Sequence, residues 1–319
     1  MSDLLIGLLS ALISTNPPAT VSNLVQQKTG ASVEFINPSD PVEQQYQKVL
    51  ADDDAAQADA GKWIAEADAF SAAGVAGSKT TLTARINQRF EQVKKEYTDF
   101  LFVHPNHARA HLAYGSFLND MKDSEGAIKE WEKSRELDPK NPAVWNNLAN
   151  AYGHHSPIKK AFEYYAKAIE LNPNESLYYY NFATTVYVFR ADAREYYHIT
   201  EEEVFNKALD LYRKALSLDP TNFILSSDYA QSYYGTKPPR YLDGLKAWED
   251  TLKLARDEIE REGVQIHLAR IKWKLGRFAE AKQQLEPITN SMYLGVKKTI
   301  AKNIDRSIKE AATNAPPVK

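Results

Sequence analysis

The side chains with the widest chemical reach in this chain are a few histidines and a set of asparagines. His104, His107 and His111 place two imidazoles one helical turn apart, a spacing that can hold a metal ion. No acidic third ligand with matching geometry is visible, and His111 falls at a helix-packing position. His154-His155 lies between two helical patterns and reads as a solvated turn. A glycine-rich phosphate loop, an HExxH pair, a GxSxG elbow and a cysteine nucleophile are all absent from the sequence. The expectation is therefore no catalysis, no cofactor and no metal. What remains is binding chemistry. Asn147, Asn150 and Asn181 sit inside helical patterns although asparagine is a poor helix former. A carboxamide offers donors and an acceptor together, and can hold an extended peptide backbone without reading its side chains.

Bulk properties narrow the partner. The net charge is −3 and no long basic run occurs, which argues against a phosphate-gripping nucleic-acid protein. There are no cysteines, so disulfides are excluded and a reducing, cytoplasmic setting is expected. The apolar run Leu4–Ile13 falls far short of the roughly 20 residues needed to span a bilayer. Asp3 and no Lys or Arg precedes it, unlike a signal peptide or an electrostatically anchored surface helix. A helix docked on the rest of the protein is favoured over membrane contact.

The elements that carry the asparagines are helices in pairs. In residues 141–173, Trp145, Leu148, Ala149 and Tyr152 form one apolar stripe; Ala161, Tyr165, Ala168 and Ile169 form a second. Pro157 suits the first turn of the second helix, and Pro173 closes the unit. The unit recurs, with prolines at 105, 139, 173 and 220, spaced by 34, 34 and 47 residues. A fixed period with two helices per period is the mark of a solenoid.

Trp145, Leu148, Ala149, Tyr152, Ala161, Tyr165, Ala168 and Pro173 match the tetratricopeptide repeat column by column. Upstream, Tyr114, Gly115, Leu118, Ala127, Trp131 and Pro139 follow the same pattern, with departures at His111 and Ser134. Downstream copies carry Phe182, Ala183, Ala208, Tyr212 and Pro220, then Tyr229, Ala230, Gly244 and Trp248, then Leu268, Ala269, Gly276, Ala281 and Leu285. Residues 106–290 thus resemble the tetratricopeptide repeat (TPR) family, with 34-residue repeats of bacterial type. The resemblance implies an all-α, right-handed superhelical solenoid whose concave face is lined by the first helix of each pair.

Projected on that face, one column holds Asn147, Asn181, Asp228 and His267. A second holds Asn150, Thr184, Gln231 and Arg270, and a third holds Tyr187, Tyr234 and Trp273, with Tyr180 adjoining. These are the expected partner-binding residues: polar groups to hold a peptide or helix, and flat aromatic surface to pack on it. The alternative for the asparagines is bonding to loops of the next repeat. The lysines and arginine of the chaperone-tail carboxylate clamp are missing, since the equivalent positions offer Leu112 or Asn146, Ile224 and Asp228.

Around the solenoid, residues 1–40 read as an apolar helix and an extended connector, with a strand-like patch at 32–36. Residues 41–105 read as a degenerate repeat capping that end, interrupted by a flexible break at 72–78. Its Asp52-Asp53-Asp54 run reads as a solvated face. The third repeat carries 13 extra residues near 190–202, with Thr200 and Glu203 placed for a capping box. Its Tyr196, Tyr197 and His198 offer either a second contact surface or an extended first helix packing its own tyrosines. Residues 291–312 form a C-terminal capping helix striped by Ile300, Ile304 and Ile308, and 313–319 a disordered tail. The expected function is a non-catalytic scaffold or adaptor for a protein or peptide, as a monomer or weak homo-oligomer. The competing expectations are a membrane- or filament-associated adaptor using residues 4–13, and a self-assembling structural protein.

Overall fold

The computed structural model describes residue 37 and residues 39–72, 79–154 and 157–313. The expected N-terminal helix at 4–13, most of the connector, the break at 73–78, the 155–156 turn and the 314–319 tail lie outside the described residues. Among those described, every regular element is helical. The chain divides into two compact units, one up to Asn174 and one from Glu175.

The first unit contains α1 (Pro41–Ala72), α2 (Lys79–Val103), α3 (Ala108–Asp120), α4 (Ser124–Leu137), α5 (Pro142–His154) and α6 (Ile158–Leu171). Helices α1 and α2 pack together, as do α3 with α4 and α5 with α6. Ala60 of α1 is buried, as are Tyr46, Val49 and Ala56, which Val93, Tyr97 and Phe100 of α2 meet in one core with α3 and α4. The far end of α1 leaves that core, with Ile64 and Phe70 exposed. The acidic run differs from expectation. Asp52 takes both Arg89 guanidinium nitrogens at 2.7 and 2.8 Å, and Asp53 accepts from the Tyr97 hydroxyl at 2.7 Å. Only Asp54 of the three is fully turned to solvent, because α2 supplies donors that the local sequence does not reveal.

His107 and His111 are structural. His107 caps α3, its Nδ1 accepting from the Ala110 amide at 3.0 Å. His111 is buried, with Nδ1 2.6 Å from Glu130 and Nε2 3.0 Å from the Pro105 carbonyl. Within the α3–α4 hairpin, Gly115 faces Trp131: a Cβ there would lie 2.5 Å from the indole Cδ1. The indole is pinned by its own N–H, which donates to the Leu112 carbonyl at 3.1 Å.

The second unit contains α7 (Ser176–Val188), α8 (Arg190–Tyr197), α9 (Glu201–Leu218), α10 (Phe223–Ser232), a 3-10 turn (Tyr233–Gly235), α11 (Tyr241–Leu252), α12 (Glu258–Lys274), α13 (Phe278–Leu285) and α14 (Ser291–Thr313). The extra residues of the third repeat do not lengthen its first helix. They form the separate α8, closed by His198 in a left-handed conformation at φ 55°. Thr200 and Glu203 then make the capping box that restarts the chain as α9. The C-terminal helix α14 packs on α12 and α13 through Ile300 and Ile304, while Ile308 is 37% exposed. Its start is held by Glu262 of α12, which accepts from the Thr289 and Asn290 amides at 3.1 and 2.8 Å.

Two glycines should respond oppositely to the same change. At Gly115 the added methyl collides with a pinned indole, so Gly115→Ala should cost about 1–3 kcal/mol despite alanine's helix propensity. At exposed Gly61, inside α1, a Cβ meets nothing within 4 Å, and Gly61→Ala should stabilise by about 0.5–1 kcal/mol. Urea denaturation of both variants checks the pair of signs.

Candidate functional site

In the first unit the candidate residues lie on α5. The Asn150 carboxamide oxygen accepts from the Tyr165 hydroxyl of α6 at 2.5 Å. Asn147 reaches Ser116 of α3 with its Nδ2 at 3.4 Å, so it bridges consecutive first helices rather than a loop. One acceptor of the asparagine pair is therefore spent inside its own hairpin. Among the described residues, the Asn150 NH2 has no such partner.

In the second unit the first helices α7, α10 and α12 carry the rest. The Tyr180 hydroxyl donates to Asp228 at 2.6 Å, tying α7 to α10. Thr184 lies 3.0 Å from the Tyr212 hydroxyl of α9. Asn181 is partly buried on the same helix. Tyr187 packs on Phe205 with ring centroids 5.8 Å apart, and its hydroxyl accepts from the Gly235 amide. A Cβ at Gly235 would sit 2.6 Å from that hydroxyl, so the 3-10 turn needs glycine to come this close. On α10, Gln231 is exposed.

Tyr234 and His267 are both partly buried. The Tyr234 hydroxyl lies 3.1 Å from His267 Nδ1, and the imidazole stacks on Trp248 with centroids 4.1 Å apart and planes at 6°. Burial, with the Arg270 charge adding, pushes the His267 pKa down to about 4, so the ring is neutral and its Nδ1 can accept a hydrogen bond from the phenol. Burial likewise pushes Tyr234 up to about 12. The Arg270 guanidinium lies over the Tyr234 ring, 5.8 Å from its centroid.

The expectation for Trp273 changes. Trp273 is not open surface: its indole N–H donates to Ser307 of α14 at 3.0 Å, and its ring joins the cluster of Ile300 and Ile304. The C-terminal helix covers part of it. In α8, Tyr196 and Tyr197 pack edge to face at 4.8 Å, and the Lys207 ammonium of α9 sits 4.2 Å from the Tyr197 centroid. Lys207 also borders an open cleft of about 430 Å³ along α9, between Glu203 and Asp210. Those carboxylates are engaged by Thr200 and Arg213. His198 is exposed.

Residues 142–175, which are α5, α6 and the turn after them, match the tetratricopeptide repeat family model. These residues form one tetratricopeptide repeat. Its fold is similar to that of YrrB, described as "a TPR protein with an unusual peptide-binding site", at a TM-score of 0.50 and 12% identity, covering 66% of this chain and 97% of that one. MamA matches at 21% identity and a TM-score of 0.43, covering 54% of this chain and 86% of that one. No curated protein sequence matches the chain. The TPR architecture is that of protein-interaction scaffolds in general.

The partners that sequence reading missed are Tyr165, Tyr212, Trp248 and Ser307. The first three share one column of the second helices and were legible there as packing residues, but nothing local says where their polar atoms point. Ser307 gave no signal at all.

A neutral, buried His267 links stability to pH. Its folded pKa lies below the unfolded value near 6.5, so the unfolded chain binds the extra proton between about pH 6.5 and 4. Its contribution is present above pH 6.5 and is lost as pH falls toward 4, by no more than about 3 kcal/mol. His107, also lowered by burial, adds a slope of the same sign. His267→Phe, which can keep the stack on Trp248, should flatten the pH dependence of chemical denaturation over this window. An unchanged slope would mean that the imidazole takes up its proton at the same pH in the folded and unfolded states.

Proposed function

We propose that this TPR protein is a non-catalytic scaffold that holds an extended peptide or a helix on the first-helix faces of its repeats. The observation that carries the proposal is the set of hydrogen bonds fixing the aromatic rings of the second unit. Tyr180 is held by Asp228 and Tyr234 by His267, while Thr184 is tied to Tyr212. Rings already locked in place lose little entropy when a ligand arrives, and a phenol body offers flat apolar area. Beside them stand an exposed amide, Gln231, and the partly buried guanidinium of Arg270. In the first unit, Asn147 and the Asn150 NH2 supply polar contacts of the same kind. A site of this size supports roughly micromolar affinity, about 8 kcal/mol.

The test uses a displayed random-peptide library panned against the full chain. Peptides enriched on the wild type should bind Gln231→Ala/Tyr234→Ala at least tenfold more weakly by fluorescence anisotropy, with circular dichroism confirming that the variant is folded. Enriched peptides that bind wild type and variant equally would place recognition off these helices. The 190–202 insertion, with Tyr196, Tyr197 and His198, would then be the surface to vary.

A further inference from the structure

The inference concerns the charge of the segment that the second unit takes, and it rests on the surface just proposed. Helix α12 carries four cationic side chains: Arg261, Arg270, Lys272 and Lys274. Arg261 pairs with Glu258 at 3.2 Å, and Lys272 donates to Gln284 at 2.7 Å. Arg270 and Lys274 differ. Each stands over an aromatic ring, Arg270 over Tyr234 at 5.8 Å and Lys274 over Trp273 at 4.4 Å. Neither has a carboxylate or carbonyl partner among the described residues. They are four residues apart, hence neighbours on one helix face.

Lys207 and Lys214 of α9 likewise stand over rings, those of Tyr197 and Tyr179, while several other cations of this unit have carboxylate partners. Arg240 meets Asp243, Arg256 meets Glu260, Arg277 meets Glu280 and Lys282 meets Asp305. Like charges at i and i+4 weaken a helix by a few tenths of a kcal/mol. The helix dipole offsets this for Lys274 at the last residue of α12, but its effect fades within one turn and does little for Arg270. A guanidinium that is partly buried yet makes no hydrogen bond has five donors free to take oxygens, and the ring beneath it fixes its plane.

We propose that Arg270 and Lys274 receive the aspartate or glutamate side chains of an acidic peptide segment, one carboxylate lying in the plane of the Arg270 fork and a second at Lys274. Tyr234, held by His267, forms the floor under the first. A bidentate guanidinium–carboxylate contact gives orientation as well as attraction. Charge complementarity names the occupant: an acidic stretch of a protein partner, rather than a neutral helix or a basic peptide.

The experiment pans C-terminally amidated peptides against the full chain, which removes the terminal carboxylate as a competing source. Enriched sequences should be rich in Asp and Glu. Their affinity should fall at least tenfold for Arg270→Gln/Lys274→Gln, fall further for Arg270→Glu, and decline with added salt. Replacing their Glu and Asp by Gln and Asn should weaken binding to the wild type by a similar factor. If enriched peptides are neutral or basic but still need Gln231 and Tyr234, the surface stands and the acidic assignment is overturned. Acidic peptides that bind Arg270→Gln/Lys274→Gln as tightly as the wild type overturn it as well. Should neither pair of substitutions change binding, or no peptide be enriched, the surface and the acidic assignment fail together. Thermal melts of each variant separate lost binding from lost fold.

Discussion

Each hairpin is governed by how closely its two helices approach, and one column of small residues sets that distance. Gly115, Ala149, Ala183, Ala230 and Ala269 occupy it on the first helices, and all are buried. The facing aromatics, Trp131, Tyr165, Tyr212 and Trp248, are at most 4% exposed. Where the aromatic is Trp131, the facing residue is glycine, and even a methyl group has no room. Close packing of this kind tolerates volume exchange only when both sides change together. That constraint also fixes where the polar ends of the aromatics fall. Trp131 reaches the Leu112 carbonyl, Tyr165 reaches Asn150 and Tyr212 reaches Thr184, all on the first helix of the same hairpin.

The same bonds therefore shape the candidate surface. A residue such as Asn150 serves two masters: its oxygen satisfies a buried hydroxyl, and its NH2 stays available. Removing a partner from a buried hydroxyl costs about 1–3 kcal/mol, more than a surface contact normally contributes. Asn150 and Thr184 are thus retained for hairpin integrity as well as for binding. Exposed Gln231, one repeat further along the same column, has no such duty.

How much of this was legible follows from the range over which each feature is determined. The hairpins, their closing prolines and the Thr200–Glu203 box depend on neighbours within a turn or two, and the period displays them directly. The Asp52-Asp53 run and Trp273 depend on partners far along the chain. Arg89 is 37 residues from Asp52, and Ser307 is 34 residues from Trp273. A repeat column predicts which face a side chain occupies, but not that a capping helix will come to lie on it. The insertion left two readings open for a different reason. Only a single non-helical residue, Phe189 at φ −97° and ψ 43°, separates α7 from α8, and nothing in the local sequence marks it as a helix stop.

Electrostatics then separates the aromatic floor from the charges above it. His267 is kept neutral by burial, aided by the neighbouring guanidinium, so it can accept from Tyr234 instead of repelling Arg270. A protonated imidazole there would add a second cation within the same patch and would withdraw the acceptor that orients the phenol. Neutral His267, hydrogen-bonded Tyr234 and the guanidinium above it form a graded stack, apolar below and positive at the rim. Such a stack presents its charge where water still reaches it, so that an arriving carboxylate exchanges hydration for guanidinium donors without being buried. Attraction of that kind steers association and selects by sign, while the fixed rings below supply contact area at little entropic cost.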